Sequence, residues 1–123
     1  MPRTRYRLQI GEREILLVEG TSVVGRSEEC AIGIDDALLS REHAQIVVTG
    51  SEAVLHDLGS KNGTYVNGVR LVDPVALSDG DVIRLGHTEM RILTLRRRAA
   101  RSSAKRLIEK DGDGRLYNAY AVA

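Results

Sequence analysis

Residues 40–68, SREHAQIVVTGSEAVLHDLGSKNGTYVNG, contain two short apolar runs that include the polar residues Gln45 and His56, a pattern that we interpret as alternation. The runs Ala44 to Val48 and Ala53 to Asp57 are separated by a Gly-bearing turn, and the dipeptides Asn62-Gly63 and Asn67-Gly68 follow them. Alternation with a period of two is typical of half-buried strands, and Asn-Gly supplies residues that tolerate positive φ in tight turns. This stretch therefore predicts short antiparallel strands joined by turns.

The same pattern extends from Tyr6 to Leu95, where short apolar runs alternate with turn signals at intervals of roughly eight to twelve residues. Such spacing, without a long amphipathic helix, predicts an all-β protein with two antiparallel sheets packed as a sandwich. In the last two runs, alternation assigns Ile83, Leu85, Met90 and Ile92 to the buried face and Arg84 and Arg91 to the outer face. The predicted strands are Tyr6 to Ile10, Glu14 to Val18, Ser22 to Val24, Ile32 to Ile34, Ala44 to Val48, Ala53 to Asp57, Thr64 to Val66, Val82 to Leu85 and Met90 to Leu95.

Length and composition limit the kinds of protein that this chain can be. A chain of 123 residues, 42% hydrophobic and 28% charged, is expected to fold as one domain with a tail. It contains four Tyr but no Phe or Trp, which predicts an aliphatic core and argues against a nucleic-acid binder that stacks bases on aromatic rings. The single cysteine, Cys30, predicts a reducing compartment such as the cytoplasm, and no apolar run is long enough to span a membrane.

Charge divides the chain near residue 95. Residues 1–95 hold ten Lys and Arg against fourteen Asp and Glu, a net charge of −4, whereas residues 96–123 hold eight against three, a net charge of +5. The run Arg96 to Lys110 is rich in Ala, Arg, Lys and Glu, a composition compatible with a marginal helix. We therefore expect a domain over residues 1–95 and a short basic tail, with helix-compatible composition, over residues 96–123.

Four polar elements lie at the ends of predicted strands. They are Gly25-Arg26, Ser40-Arg41-Glu42-His43, Ser60-Lys61-Asn62-Gly63-Thr64 and Asn67-Gly68. If one end of the sandwich brings these loops together, Arg26 and Arg41 supply cations and Ser40 supplies a hydroxyl. A phosphate dianion needs several such charge-assisted donors, so the residues predict an anion site.

These four elements, in this order, resemble the signature of the forkhead-associated (FHA) domain family: a Gly-Arg, a Ser-x-x-His, an Asn-Gly and a second Asn-Gly after a short strand. The resemblance covers roughly Leu16 to Leu95. It implies an eleven-stranded β-sandwich that binds phosphothreonine on loops at one end. It also implies no cofactor.

The resemblance also implies a role for each matching residue. Arg26 and Ser40 would hold the phosphate with help from Arg41, while Asn62 would bond the peptide main chain with Lys61 beside it on the rim. The resemblance makes His43 a brace for the phosphate-binding loop. The residues expected to support the binding loops are Gly25, His43, Gly63, Asn67 and Gly68.

The sequence does not favour catalysis or metal binding. Ser40 and His43 resemble a nucleophile and its base, but no third group is apparent that would orient them, so we expect no catalysis. His43, His56 and His87 are too scattered to predict a metal site.

The sequence therefore predicts a phosphothreonine-dependent adaptor that docks partners phosphorylated by a Ser/Thr kinase, or the kinase itself. Nucleic acid is not an expected partner. The alternative is an FHA-like scaffold that recruits an unphosphorylated partner within a larger assembly, with the basic tail contributing to the contact. Dependence on phosphate separates the two hypotheses.

Overall fold

The computed structural model describes residues 4–96, 108–110 and 116–118, and the side chains of residues 4–95. The chain divides into two compact units: Thr4–Leu95, and Arg96–Ala123 together with the first three residues. The described residues include strands and turns but no helix, and so no helix that could cross a membrane.

The unit Thr4–Leu95 is an all-β structure of two sheets, as the alternating pattern predicts. One sheet has six strands in the order β2-β1-β11-β10-β7-β8, and the other has five in the order β4-β3-β5-β6-β9. The eleven strands are β1 Thr4–Ile10, β2 Arg13–Leu17, β3 Gly20–Gly25, β4 Ile32–Gly33, β5 Ala44–Thr49, β6 Glu52–Asp57, β7 Thr64–Val66, β8 Val69–Arg70, β9 Val75–Ala76, β10 Val82–Leu85 and β11 Thr88–Arg96.

The core lies between the sheets and is almost entirely aliphatic. The inward positions of β10 and β11 are filled as alternation predicts, and Arg84 and Arg91 are exposed on the outer face. Each fully buried aliphatic side chain contributes about 1.5 to 3 kcal/mol relative to its exposed state, so this layer supplies the main drive for folding. The largest fully buried apolar side chains are Leu8, Val24, Ile32, Ile46, Leu55, Ile83, Leu85, Met90 and Ile92.

The nine strands predicted from the sequence are confirmed, although some of their ends differ. Two further strands of this unit, β8 and β9, were not predicted. Alternation did not indicate β8 and β9, because each has only two residues and a period cannot be recognised over so short a run. The sheets were predicted to be antiparallel, but β3 and β4 run parallel, with Val24 opposite Ile32 and Gly25 opposite Gly33. The chain returns to the start of β4 through the loop of residues 26–31, and this return makes the pair parallel.

The second unit contains one described hairpin. Strands β12 (Ile108–Lys110) and β13 (Leu116–Asn118) pair antiparallel, with Glu109 opposite Tyr117. The helix-compatible run Arg96 to Lys110 is thus extended at its last three residues. Its residues 97–107 lie outside the part of the chain that the structure describes.

Candidate functional site

Backbone hydrogen bonds join the loop after β3 to the loop before β5. The amide of Arg26 donates to the carbonyl of Ser40 at 3.0 Å, and the amide of Ser27 donates to the carbonyl of Arg41 at 3.1 Å. Gly25 permits this approach, because a Cβ there would overlap the carbonyl oxygen of Arg41 and lie 2.8 Å from its carbonyl carbon. The Gly-Arg and Ser-Arg elements of the sequence therefore lie side by side.

Arg26 is exposed, and the adjacent loop before β5 orients its side chain. The Nε–H of Arg26 donates to the carbonyl of Leu39 at 3.1 Å, and within residues 4–95 the two terminal nitrogens have no hydrogen-bond partner. A guanidinium held at Nε presents its remaining fork of N–H groups to solvent. Such a planar fork matches two oxygens of a carboxylate or phosphate.

Ser40 connects this pair of loops to the loop between β6 and β7. Its Oγ accepts a hydrogen bond from the amide of Lys61 at 3.1 Å, and its own amide donates to Nδ1 of His43 at 3.0 Å. Because Oγ is the acceptor in the first bond, its proton remains available for donation to a ligand. The half-buried hydroxyl of Ser40 is thus positioned by two loops at once.

His43 is completely buried beneath these loops. Its Nδ1 accepts the amide proton of Ser40, so the neutral ring carries its proton on Nε2, and Nε2 donates to the carbonyl of Gly63 at 2.9 Å. The ring therefore links the Ser40 loop to the Asn62-Gly63 turn. With both nitrogens engaged by the backbone, the imidazole is not directed at the Ser40 hydroxyl.

The β6–β7 loop is built around the carboxylate of Asp57. This carboxylate accepts bonds from the amides of Gly59 and Ser60 at 3.0 Å, and from the hydroxyls of Ser60 and Thr64 at 2.6 Å. Burial raises the pKa of Asp57, but these four hydrogen bonds outweigh burial and hold the pKa below the ordinary value of 3.8. The local hydrogen bonds of Asp57 therefore organise the loop that carries Lys61 and Asn62.

Asn62 lies exposed on that loop and contacts the loop before β5. Its Nδ2 donates to the carbonyl of Leu38 at 2.8 Å, and Oδ1 has no partner in the described part of the chain. The amide therefore retains an acceptor and a second N–H with which to bond an extended peptide backbone. Lys61, its neighbour, is exposed on the same rim.

Asp36 fixes the other side of the site, and the sequence did not identify it. Its buried carboxylate accepts the amide of Leu38 at 2.9 Å, and the amide of His87 and the hydroxyl of Thr88, each at 2.8 Å. The bond from Leu38 lowers the pKa of Asp36 most; burial acts in the opposite direction, and the bonds from Thr88 and His87 lower the pKa further. Asp36 thus ties the Ser40 loop to the β10–β11 turn.

Two of the residues expected to support the binding loops lie elsewhere. Asn67 and Gly68, with φ of 52° and 85°, form the β7–β8 turn at the opposite end of β7 from Gly63. The Nδ2 of Asn67 donates to Asp81, and its Oδ1 accepts the amide of Val82, both at 3.0 Å. These bonds hold β7 to the start of β10 and not to the binding loops.

The structure brings together five of the predicted binding residues and three of the supporting ones. The five are Arg26, Ser40, Arg41, Lys61 and Asn62, and the three are Gly25, His43 and Gly63. The three cations are exposed, and none forms an ion pair with a carboxylate within residues 4–95. The three supporting residues are buried. The arrangement can therefore offer unpaired positive charge and hydrogen-bond donors to an anion from a rigid base.

Cys30 and the remaining histidines give no reason for a different chemistry. The half-buried thiol of Cys30 donates to the carbonyl of Arg41 at 3.1 Å. Among the described residues, no cluster of three or more His, Cys, Asp or Glu is arranged to hold a metal ion.

Comparison with known proteins identifies relatives of this arrangement. The FHA domain family model matches residues 22–86. FhaA of Mycobacterium tuberculosis, an FHA domain-containing protein, is 44% identical over 90 residues, which is 71% of this chain and 17% of FhaA. The glycogen accumulation regulator GarA of Mycolicibacterium smegmatis is 39% identical over 79 residues, 64% of this chain and 49% of GarA. The chain thus spans less than half the length of either relative.

Solved structures agree with the sequence comparison. A structure from a study of phosphothreonine-dependent FHA domain interactions is 38% identical and superimposes with a TM-score of 0.69, over 72% of this chain and 95% of its own. The FHA domain of FhaA, complexed with the intracellular domain of Rv3910, is 39% identical with a TM-score of 0.68, over 71% of this chain and 98% of its own.

Proposed function

The chain belongs to the FHA domain family, and we propose that it is a reader of phosphothreonine which docks a Thr-phosphorylated protein on the loops after β3, before β5 and after β6. One observation carries this proposal: the free fork of Arg26 and the hydroxyl of Ser40 lie on loops that are bonded to each other and to the loop of Asn62. The partner is a substrate of a Ser/Thr kinase or such a kinase itself.

The proposed roles follow from what each side chain leaves unpaired. Arg26 and Ser40 donate to the phosphate with Arg41 as a second cation, Asn62 bonds the main chain of the peptide, and Lys61 contributes charge at the rim. Each charge-assisted hydrogen bond contributes about 1.5 to 3 kcal/mol net. Together with the contacts to the peptide main chain, and after the entropy of association is subtracted, we expect a Kd near 1 μM, or about −8 kcal/mol.

Phosphothreonine is proposed as the ligand in preference to phosphoserine. The additional methyl group of threonine, if it is buried against the loops, is worth on the order of 1 kcal/mol, or about fivefold in Kd. We place the binding function in residues 1–95 and regard residues 96–123 as a separate basic tail. The compartment proposed is the cytoplasm, consistent with the single half-buried Cys30.

Binding without catalysis is proposed because the imidazole of His43 is not free to act as a base. Its Nδ1 is occupied by the amide of Ser40, and its Nε2 by the carbonyl of Gly63. A hydroxyl without a base is a poor nucleophile. A phosphopeptide incubated with the protein should therefore be recovered intact, which mass spectrometry would check.

The test of the proposed function is a calorimetric titration of the full chain at fixed salt concentration. The ligands are one peptide in its phosphothreonine, phosphoserine and unphosphorylated forms. Arg26→Ala and Ser40→Ala should each raise the Kd for the phosphothreonine peptide at least tenfold. The matched controls Arg91→Ala and Ser51→Ala, exposed positions outside these loops, should leave the Kd unchanged. Binding that ignores phosphate, or survives both substitutions, would reject this proposal in favour of a scaffold that recruits an unphosphorylated partner.

A further inference from the structure

A row of charged and aromatic side chains crosses the outer face of the six-stranded sheet beside the site. Directly opposed residues of antiparallel strands project from the same face, and Arg84 is opposed to Tyr65, which is opposed to Arg70. Ile83 and Leu85 are buried, so Arg84 between them faces outward. Tyr65 and Arg70, the other residues of the row, lie on the same outer face.

Arg70 reaches from this row to the β6–β7 loop. A Cβ placed on Gly63 would lie 2.9 Å from Nε and 3.0 Å from Cζ of Arg70, so the guanidinium covers the backbone of Gly63. Gly63 has a φ of 89° and directly follows Asn62, the residue proposed to bond the peptide main chain. The charge of Arg70 is therefore next to the path of a bound peptide.

Arg84 is held near the same end of the sheet. Its guanidinium carbon lies 4.2 Å from the centre of the Tyr65 ring, and its Nη1 donates to the carbonyl of Gly86 at 3.3 Å. Glu89 is opposed to Arg84 across the β10–β11 pair, yet neither arginine forms an ion pair within residues 4–95. Two exposed guanidinium groups, one over an aromatic ring and one beside the backbone of Gly63, thus lack an ion-pair partner among residues 4–95.

We propose that Arg70 and Arg84 form a second, acidic-residue-binding surface that is continuous with the phosphothreonine site. Its ligand is an Asp or Glu side chain of the same partner, placed to one side of the phosphothreonine. This inference rests on the proposed function and deepens it: the preferred partner carries a phosphothreonine within an acidic sequence. The outer row therefore selects among phosphorylated partners and does not bind them alone.

The experiment titrates the full chain with phosphothreonine peptides in which a single Glu is moved through each flanking position, each paired with a Gln peptide. For wild type, Glu at one or more positions should tighten binding about two- to fivefold over Gln, the size expected of exposed charge pairs. The preference should decline as salt is raised. It should be lost in the Arg70→Gln, Arg84→Gln double variant.

Comparing Glu with Gln peptides inside each variant cancels any general loss of affinity or fold. The matched control is Arg91→Gln, an exposed arginine on the same face that donates to Gly80, and it should keep the preference for Glu. Equal affinities at every position, or a preference that persists in the double variant, would overturn this inference alone. If wild type does not distinguish phosphorylated from unphosphorylated peptide, the proposed function fails and the inference fails with it.

Discussion

Replacing His43 by alanine should uncouple the two loops that form the site. The ring is fully buried and makes hydrogen bonds of 3.0 Å to the amide of Ser40 and 2.9 Å to the carbonyl of Gly63. Removing it leaves both backbone groups without their partner, at a cost of about 1 to 3 kcal/mol each. The free energy of unfolding should therefore fall by about 2 to 6 kcal/mol, which is a large share of the 5 to 15 kcal/mol typical of a domain.

Urea unfolding and peptide titration together measure this effect. With an m-value of about 1.5 kcal/mol per molar urea, a loss of about 3 kcal/mol lowers the midpoint by roughly 2 M. In the fraction that remains folded, the Kd for a phosphothreonine peptide should rise at least tenfold, because the amide and hydroxyl of Ser40 are no longer held in place. A tenfold change corresponds to about 1.4 kcal/mol of binding free energy.

The matched control is His56→Ala. His56 lies half-buried on β6, and its ring makes no hydrogen bond within residues 4–95. Its removal should change the urea midpoint by less than the equivalent of about 1 kcal/mol. If His43→Ala and His56→Ala shift the midpoint equally, or if His43→Ala leaves the Kd unchanged, the reasoning that assigns His43 to loop coupling is refuted.

Three further predictions follow from backbone geometry and charge. Gly25→Ala should lower the melting temperature and weaken phosphopeptide binding, because the added Cβ meets the Arg41 backbone at a cost of about 1 to 3 kcal/mol. The control Gly50→Ala should do neither, because a Cβ there meets only one atom, at 3.9 Å. Asp36 and Asp57 have lowered pKa values in the folded protein. The stability that they confer is therefore present above the unfolded pKa of 3.8 and is lost as the pH falls through the lower folded pKa values. Urea midpoints that do not decline below about pH 4 would contradict this. Asn67→Ala should reduce the free energy of unfolding by about 1 to 2 kcal/mol, because alanine tolerates the positive φ poorly and the side-chain hydrogen bonds are lost. The Kd for a phosphopeptide should be unchanged. A higher Kd would place Asn67 in the binding machinery.

The sequence was sufficient to predict the β-sandwich because each of its main strands has one face in the core and one in solvent. Alternation in β5, β6, β10 and β11 reflects one face in the core and one in solvent, so these strands and the inward side of Ile83 and Met90 were predicted correctly. The strands β8 and β9 and the parallel pair β3–β4 were not, because two-residue strands carry no period and strand direction depends on the path of the intervening loop.

The sequence motif predicted the side chains that it contains. It did not predict the residues that organise the loops by accepting hydrogen bonds from the backbone. Asp36 and Asp57 organise their loops by accepting backbone amides, and an Asp in a turn has no sequence signal that distinguishes this from a solvated residue. The motif names Asn67 too, but the structure places it in the β7–β8 turn. The three residues of β7 span about 10 Å, so an Asn-Gly after that strand must lie at its far end from Gly63.

The charges of the domain indicate that the proposed recognition of a phosphorylated partner is local. Residues 1–95 carry a net charge of −4, so their long-range field does not attract an anionic peptide. What favours the anion is the separation of roles within the loops. Buried His43 and half-buried Asp57 satisfy the backbone, and exposed Arg26 and Arg41 keep their charge unpaired. Because Arg26 and Ser40 are already held in place by hydrogen bonds, binding need not order these two donors, and less of the hydrogen-bond energy is lost to ordering.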